Sequence, residues 1–342
     1  MPGDLVLVTG GTGFVAAHCI VRLLEQGFRV RTTVRSLARA DEVRRLVRAG
    51  GADASSVLFA QLDLLHDDGW DEAAHGARYV LHVASPFPVR QPKDADELIV
   101  PAREGALRAL RAARAAGVRR VVLTSSFAAV GYSSHPDRPY TEADWTDPDD
   151  TSLSPYIRSK AAAERAAWDF IDREGEGLEL AAVNPVAVFG PALGPDLSSS
   201  VELLRVLLDG GVPALPRAAV NAVDVRDVAD LHVRAMTHPD AAGERFLAVA
   251  GDPVLVPDLA RFLREQLGDV ARRVPRRTLP DWVVRLAARF DPQLRAVVAD
   301  LGHFPVTSHE KASRVLGWTP RSNDEAILAA AESLVQLGLV RQ

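Results

Sequence analysis

The chain has 342 residues, 47% hydrophobic and 25% charged, and a formal net charge of -5 spread over interspersed acids and bases. That composition excludes a disordered or fibrous chain, and it lacks the basic excess of a nucleic-acid footprint or a polybasic membrane patch. The one cysteine, Cys19, excludes an internal disulfide. The first apolar run is too short for a signal peptide, and no window reaches the roughly 20 apolar residues that span a bilayer. The expectation is a cytoplasmic globular protein, monomer or homodimer, whose partner is a small molecule, with no nucleic acid, membrane or metal.

In chain order, short β-branched runs alternate with longer amphipathic segments, the pattern of crossover units and a parallel sheet. LVLVT leads into a helix from about Gly13 to Gln26, and FRVRTTV into a helix through Val43 to Val47. VLFAQL is followed by a segment after Asp67, YVLHVA by a helix near Glu97 to Ala116, and RRVVLTSS by a helix from about Pro155 to Arg173. LELAAVN reads as a sixth strand. Beyond Asn184 the rhythm breaks into the Pro- and Gly-rich FGPALGP and GGVPALP around a short helix near Glu202 to Leu208, which suggests a second lobe. A helix from near Asp224 and the strand RFLAVAG return to the sheet, and the remainder is mainly helical.

Directly after the first strand, Gly10, Gly13 and Ala16 in TGGTGFVA have the spacing of a dinucleotide fingerprint. A tight strand-to-helix turn needs glycine where the backbone approaches a pyrophosphate, and the helix N-terminus then stabilises the anion. Gly10, Thr12, Gly13, Phe14 and Val15 are the residues of that turn. At the end of the second strand an NAD site offers a carboxylate to the ribose 2′-hydroxyl. Here the chain reads TTVRS, with Arg35, then Arg39, and no acid before Asp41. An arginine fork suits a 2′-phosphate, so the cofactor is expected to be NADP(H). Asp63 and Leu64 close the third strand where an adenine would rest; Asp63 either accepts from the exocyclic amine or caps a turn.

The strand RRVVLTSS ends in Ser126, and SPYIRSKAAAE opens a helix carrying Tyr156 and Lys160 on one face. A neighbouring ammonium stabilises a phenolate and brings the phenol toward working range as a proton donor. A hydroxyl beside it holds the same substrate oxygen.

In this combination the chain resembles the extended short-chain dehydrogenase/reductase family, marked by a TGxxGxxA-type turn and a YxxxK pair preceded by a serine on the fifth strand. It is most similar to the branch of dihydroflavonol reductases, cinnamoyl-CoA reductases and fungal aldehyde or methylglyoxal reductases. The segments that carry the likeness are VTGGTGFVA, TVRS, HVASPF, LTSSFAAV, YIRSK, VNPVAVFGP, VDVRDVADLH and KASRVLGWTP. The resemblance implies that Ser126, rather than Ser125, is the catalytic serine. It also implies that Ala84 and Ser85 pass beside the cofactor and that Pro185 and Val188 flank the nicotinamide. An NWYCY segment typical of cinnamoyl-CoA reductases is missing, and Gly131 stands where dihydroflavonol reductases tend to carry a polar side chain. Pro86, Phe87, Phe127 and Phe189 are candidate apolar lining of a substrate pocket, the phenylalanines equally readable as core.

The expected fold is α/β, a Rossmann-type doubly wound parallel sheet with a smaller, mostly helical C-terminal lobe. Residues 1–188, with 217–250 returning, would form the cofactor domain, and 189–216 with 251–342 the substrate lobe. The expected activity is NADPH-dependent reduction of a ketone or aldehyde. The alternatives are an NAD-dependent nucleotide-sugar epimerase or dehydratase and a non-catalytic NADP-binding regulator.

Overall fold

The computed structural model describes residues 3–86, 94–133, 137–289, 301 and 304–341. The alternating half of the chain folds as β1 (Leu5–Val8), α1 (Phe14–Glu25), β2 (Arg29–Val34), α2 (Ala40–Ala49), β3 (Leu58–Gln61) and α3 (Trp70–Ala74), then β4 (Tyr79–His82), α4 (Asp96–Ala115), β5 (Arg120–Thr124), α5 (Pro155–Glu174) and β6 (Glu179–Pro185). Every residue of β1 and β4 is buried, as expected of parallel strands covered on both faces. The irregular stretch then contributes β7 (Ala187–Phe189), α6 (Ser199–Leu208), β8 (Ala219–Val220) and β9 (Ala222–Asp224). It is followed by α7 (Val225–Thr237), β10 (Glu244–Ala248), β11 (Val254–Leu255), α8 (Val256–Leu267), α9 (Asp281–Ala287), α10 (Glu310–Leu316) and α11 (Asn323–Gln336).

Seven strands form one parallel sheet in the order β10-β6-β5-β4-β1-β2-β3. The chain winds outward from β1 in both directions, so β1 and β4 flank the switch point beyond whose carboxyl ends ligands settle in such sheets. α4 and α5 pack together over this sheet through a seam rich in alanine, including Ala106, Ala109, Ala113 and Ala167, closed by Leu110 and Phe170. Small side chains let the helices approach closely, which holds α5 firmly. The start of α5 is fixed locally: the Ser154 side chain accepts from the Ile157 N–H, and Pro155 occupies the first turn.

Two compact units divide the chain: 1–186, 226–248 and 309–319 form the first, and 187–225, 249–308 and 320–342 the second. The sequence reading differs from this at 187–188, 217–225 and 249–250, which belong to the second unit, and at 309–319, which belongs to the first. The last difference has a clear cause. Trp318 is 1% exposed and its indole N–H donates to the Asp227 carbonyl at 2.9 Å, while Lys311 pairs with Glu244 at 2.5 Å. In the second unit the loops expected after Asn184 contain short strands, β7 parallel to β9 and β8 antiparallel to β11. They are too brief for period-two alternation to show.

Two buried polar groups pin the first unit. Arg120, 1% exposed, bonds Glu179 and donates to the carbonyls of Ala235 and His238 at 2.8 and 2.5 Å, closing the C-terminal end of α7 with a cation. His232 of α7 donates from Nδ1 to the Val228 carbonyl at 2.7 Å, which leaves Nε2 to accept from the Thr124 hydroxyl at 2.7 Å. Burial holds its pKa down at about 4. These ties give VDVRDVADLH a structural task.

Candidate active site

At the turn between β1 and α1, Gly10 has φ of 74°, a left-handed conformation that disfavours side chains, and a Cβ there would stand 2.9 Å from that of Ala84. A Cβ on Gly11 would fall on the Thr32 side chain. The turn is held by Gly10 N–H donating to the Thr33 hydroxyl at 2.9 Å and Gly13 N–H to the Gly10 carbonyl at 2.8 Å. Gly13 caps α1 without a side-chain acceptor, and no acid lies in the first turn, which contains Phe14 and Val15. The helix start thus presents its amides without an internal anion, the arrangement that suits a pyrophosphate. Thr12 is half-buried beside them.

The exit of β4 is organised by Thr9. Its hydroxyl oxygen accepts from the N–H groups of Val83 and Ala84, both at 3.0 Å. Its one proton is then left for His82 Nδ1 at 3.1 Å, which makes His82 the Nε2–H tautomer. Burial, reinforced by the nearby Lys160 charge, lowers the His82 pKa to about 4. Ala84, Ser85 and Pro86 follow, half-buried, with Ala84 against Gly10.

Of the residues expected to choose the cofactor, Arg35 is exposed just past β2. Arg39 is engaged by both oxygens of Glu42 at 2.8 Å, so it is committed to a pair on its own helix edge. Asp63 caps a turn, one carboxylate oxygen accepting from the Leu65 N–H at 3.0 Å. Leu64 is half-buried, and its carbonyl accepts from Arg108 at 3.1 Å.

The corner after β5 brings Ser126, Tyr156 and Lys160 together. The Ser126 hydroxyl accepts from the Ala128 N–H at 3.1 Å, capping a single helical turn over Phe127–Ala129. It is also hydrogen-bonded to the Tyr156 phenol. Burial of the phenol raises the Tyr156 pKa, and the bond to Ser126 works against that rise, while the residue as a whole is 36% exposed. The Lys160 ammonium lies 6.0 Å from the centre of the Tyr156 ring. Burial lowers its pKa to about 8, opposed by the negative charge of Glu164.

Behind these three lies a set of buried charged and polar side chains that the sequence did not single out. Glu164 and Asn184 are wholly buried, and Ser125 and Arg245 are 5% and 7% exposed. Glu164 stands one helical turn beyond Lys160 in the same SPYIRSKAAAE segment, a position that signals a shared face but not a partner.

The proposed lining divides. Pro185 is buried at the end of β6, Val188 is half-buried in the second unit, and Phe87 lies outside the described residues. Phe127 is 6% exposed, edge-on to Tyr140 at 5.5 Å, and fills the space a Gly131 side chain would need. Phe189 is fully buried in the second unit. Both rings are buried, as the core alternative has it. Among the described residues no helix is long and apolar enough to cross a membrane, and no cluster of His, Cys, Asp and Glu is arranged to hold a metal ion.

Known proteins share this architecture. The chain is 36% identical over 253 residues to a cinnamoyl-CoA reductase of Medicago truncatula, covering 72% of this chain and 76% of that one. It is 31% identical over 352 residues to a ketoreductase of Aspergillus niger, covering 97% of both. The crystal structure of yeast methylglyoxal/isovaleraldehyde reductase complexed with NADPH superposes with a TM-score of 0.79 at 26% identity, over 98% of this chain and 99% of that one. Residues 6–249 match the model of the NAD dependent epimerase/dehydratase family, and with the dinucleotide turn and the Ser126–Tyr156–Lys160 corner on one sheet, the chain belongs to that family.

Proposed function

We propose that the chain is an NADPH-dependent carbonyl reductase that converts a ketone or aldehyde reversibly to an alcohol, with Ser126, Tyr156 and Lys160 handling the proton. The observation that carries this reading is the hydrogen bond between the Ser126 hydroxyl and the Tyr156 phenol with the Lys160 ammonium beside the same ring. The turn from Gly10 to Val15 would hold the pyrophosphate, Arg35 the 2′-phosphate, and Ala84, Ser85 and Pro185 the nicotinamide side. When bound, the reduced nicotinamide supplies the hydride to the carbonyl carbon. Tyr156 gives its proton to the developing alkoxide, and the Ser126 hydroxyl steadies that oxygen by a hydrogen bond as the charge forms. Lys160 stabilises the phenolate that Tyr156 becomes and would hold the nicotinamide ribose by a hydrogen bond.

Support for the substrate class comes from the reductases among the relatives, which act on carbonyl compounds according to their names. The epimerase/dehydratase description of the family keeps one second reading, the recycling of tightly held NAD on a nucleotide sugar. Nicotinamide absorbance separates the two. Consumption of NADPH well above NADH, against a panel of aromatic ketones, diketones, α-keto esters and aldehydes, is the expected result. Turnover of a nucleotide sugar without added cofactor is the contrary one. Tyr156→Phe is expected to lower kcat by about 1,000-fold or more with cofactor binding nearly intact, since it removes only the proton donor.

A further inference from the structure

We infer that Glu164, held by Arg245, is the positioning residue that fixes Ser126 against Tyr156 and Lys160. This inference rests on the catalytic reading given above. The Glu164 carboxylate receives four donors: Ser125 Oγ at 2.5 Å and Asn184 Nδ2 at 2.7 Å on one oxygen, Arg245 Nε at 2.6 Å and Trp168 Nε1 at 3.3 Å on the other. Those donors come from three directions besides α5 itself, namely the end of β5, the end of β6 and β10. Asn184 Nδ2 also donates to the Ser126 carbonyl at 3.2 Å, so the amide joins the Glu164 carboxylate directly to the backbone of the catalytic serine.

Arg245 extends the same frame to the far side of the corner. Its Nη1 donates to the carbonyls of Glu142 and Asp144 at 2.7 and 2.9 Å, its Nη2 reaches the Ala129 carbonyl at 3.4 Å, and its guanidinium stacks 3.6 Å from the centre of the Trp145 ring. Ala129 belongs to the turn that Ser126 caps. One carboxylate and one guanidinium therefore hold both ends of that turn and the helix that carries Tyr156 and Lys160. A shift of either catalytic side chain would need a buried charge to lose its partner.

The carboxylate also acts on Lys160 through charge. The groups around Lys160 are Glu164 and Tyr156 on α5 and neutral His82 on β4, with Arg245 on β10 behind Glu164. The arginines of α4 pair elsewhere, Arg103 and Arg111 with Glu104, Arg108 with Asp67, and Arg114 with Glu174, and its Asp96 and Glu97 are exposed. Glu164 is thus the anion that keeps the Lys160 ammonium protonated in a buried setting.

The test compares Glu164→Gln, Ser125→Ala, Arg245→Lys and Tyr156→Phe with the parent protein. The readouts are kcat for NADPH oxidation across pH, NADPH affinity by fluorescence, and far-ultraviolet circular dichroism. For Glu164→Gln, kcat is expected to fall about 100-fold with NADPH affinity within about twofold, as for a misplacement of roughly 1 Å. The alkaline fall in activity should move down by about one pH unit, because Lys160 loses its anion. Ser125→Ala and Arg245→Lys keep the Glu164 charge but loosen its frame, so kcat should fall by about 3- to 10-fold with the alkaline fall not moved down. If Glu164→Gln does not fold, these two variants decide the matter, and parental kcat in both overturns the inference. A folded Glu164→Gln with parental kcat and pH profile, beside an inactive Tyr156→Phe, overturns the positioning role alone. An active Tyr156→Phe overturns the catalytic reading and this inference with it.

Discussion

The turn after β1 and the corner after β5 lie at the carboxyl ends of the same sheet, yet they are made of different materials. The turn is backbone: Gly10 in a left-handed conformation, amides at the start of α1, and side chains small enough for Ala84 to touch Gly10. The corner is side chain on side chain, with Ser126, Tyr156 and Lys160 in front and Glu164, Asn184 and Arg245 buried behind. A backbone site tolerates changes that keep the chain's path and fails when a Cβ blocks it. A side-chain site depends on charges that are stable only as a complete set.

The comparison is broken most forcefully at the Glu164–Arg245 pair, whose side chains are 0% and 8% exposed. Arg245→Met leaves the carboxylate buried without its cation, and urea unfolding should show a loss of about 3–5 kcal/mol. A loss under about 1 kcal/mol would mean that water or another cation takes the place of Arg245.

Next in size is the acid limb of stability. His82 and His232 have folded pKa values of about 4, below the ordinary imidazole value of 6.5. Because the unfolded chain binds more protons between those values, stability is full above about pH 6.5 and falls as pH drops toward 4, by up to about 3 kcal/mol for each histidine. Thermal unfolding against pH should show this limb, and His232→Leu should flatten part of it. Lys160, also a base whose pKa burial lowers, acts in the same direction at higher pH: its penalty is full below about pH 8, and stability rises as pH passes from there toward the ordinary value of 10.5.

At the turn, Gly10→Ala is expected to lose about 1–3 kcal/mol in unfolding experiments, from left-handed strain and the collision with Ala84. It should also weaken NADPH binding, with kcat at saturating cofactor much less affected. Smallest is Arg35→Ala. This exposed side chain should change stability by less than about 0.5 kcal/mol while reducing the NADPH-over-NADH preference about tenfold. An unchanged preference would remove Arg35 from the 2′-phosphate site, with Arg39 already bound to Glu42.

The two regions also differed in how far they could be read in advance. The strand-glycine-helix order at the turn and the Tyr156 and Lys160 spacing on α5 are local patterns, and the structure contains both as expected. The short strands β7, β8, β9 and β11 left no usable period, and Phe127 and Phe189 carried no mark that separates a core ring from a pocket ring. The placement of 309–319 with the first unit depends on Trp318 reaching the Asp227 carbonyl, a partner 91 positions away in sequence.

By itself the sequence determined the alternation of strands and helices, the dinucleotide turn and the pair on α5, because each is set by residues within a few positions of one another, and the alternation in turn implied a parallel sheet. Tertiary structure decided which buried polar groups meet. Glu164 and Arg245 lie 81 positions apart, Thr124 and His232 108, and Thr9 and His82 73. Each of these groups is polar in water and depends inside on partners distant in sequence, so its burial becomes favourable only when the whole sheet has closed around it.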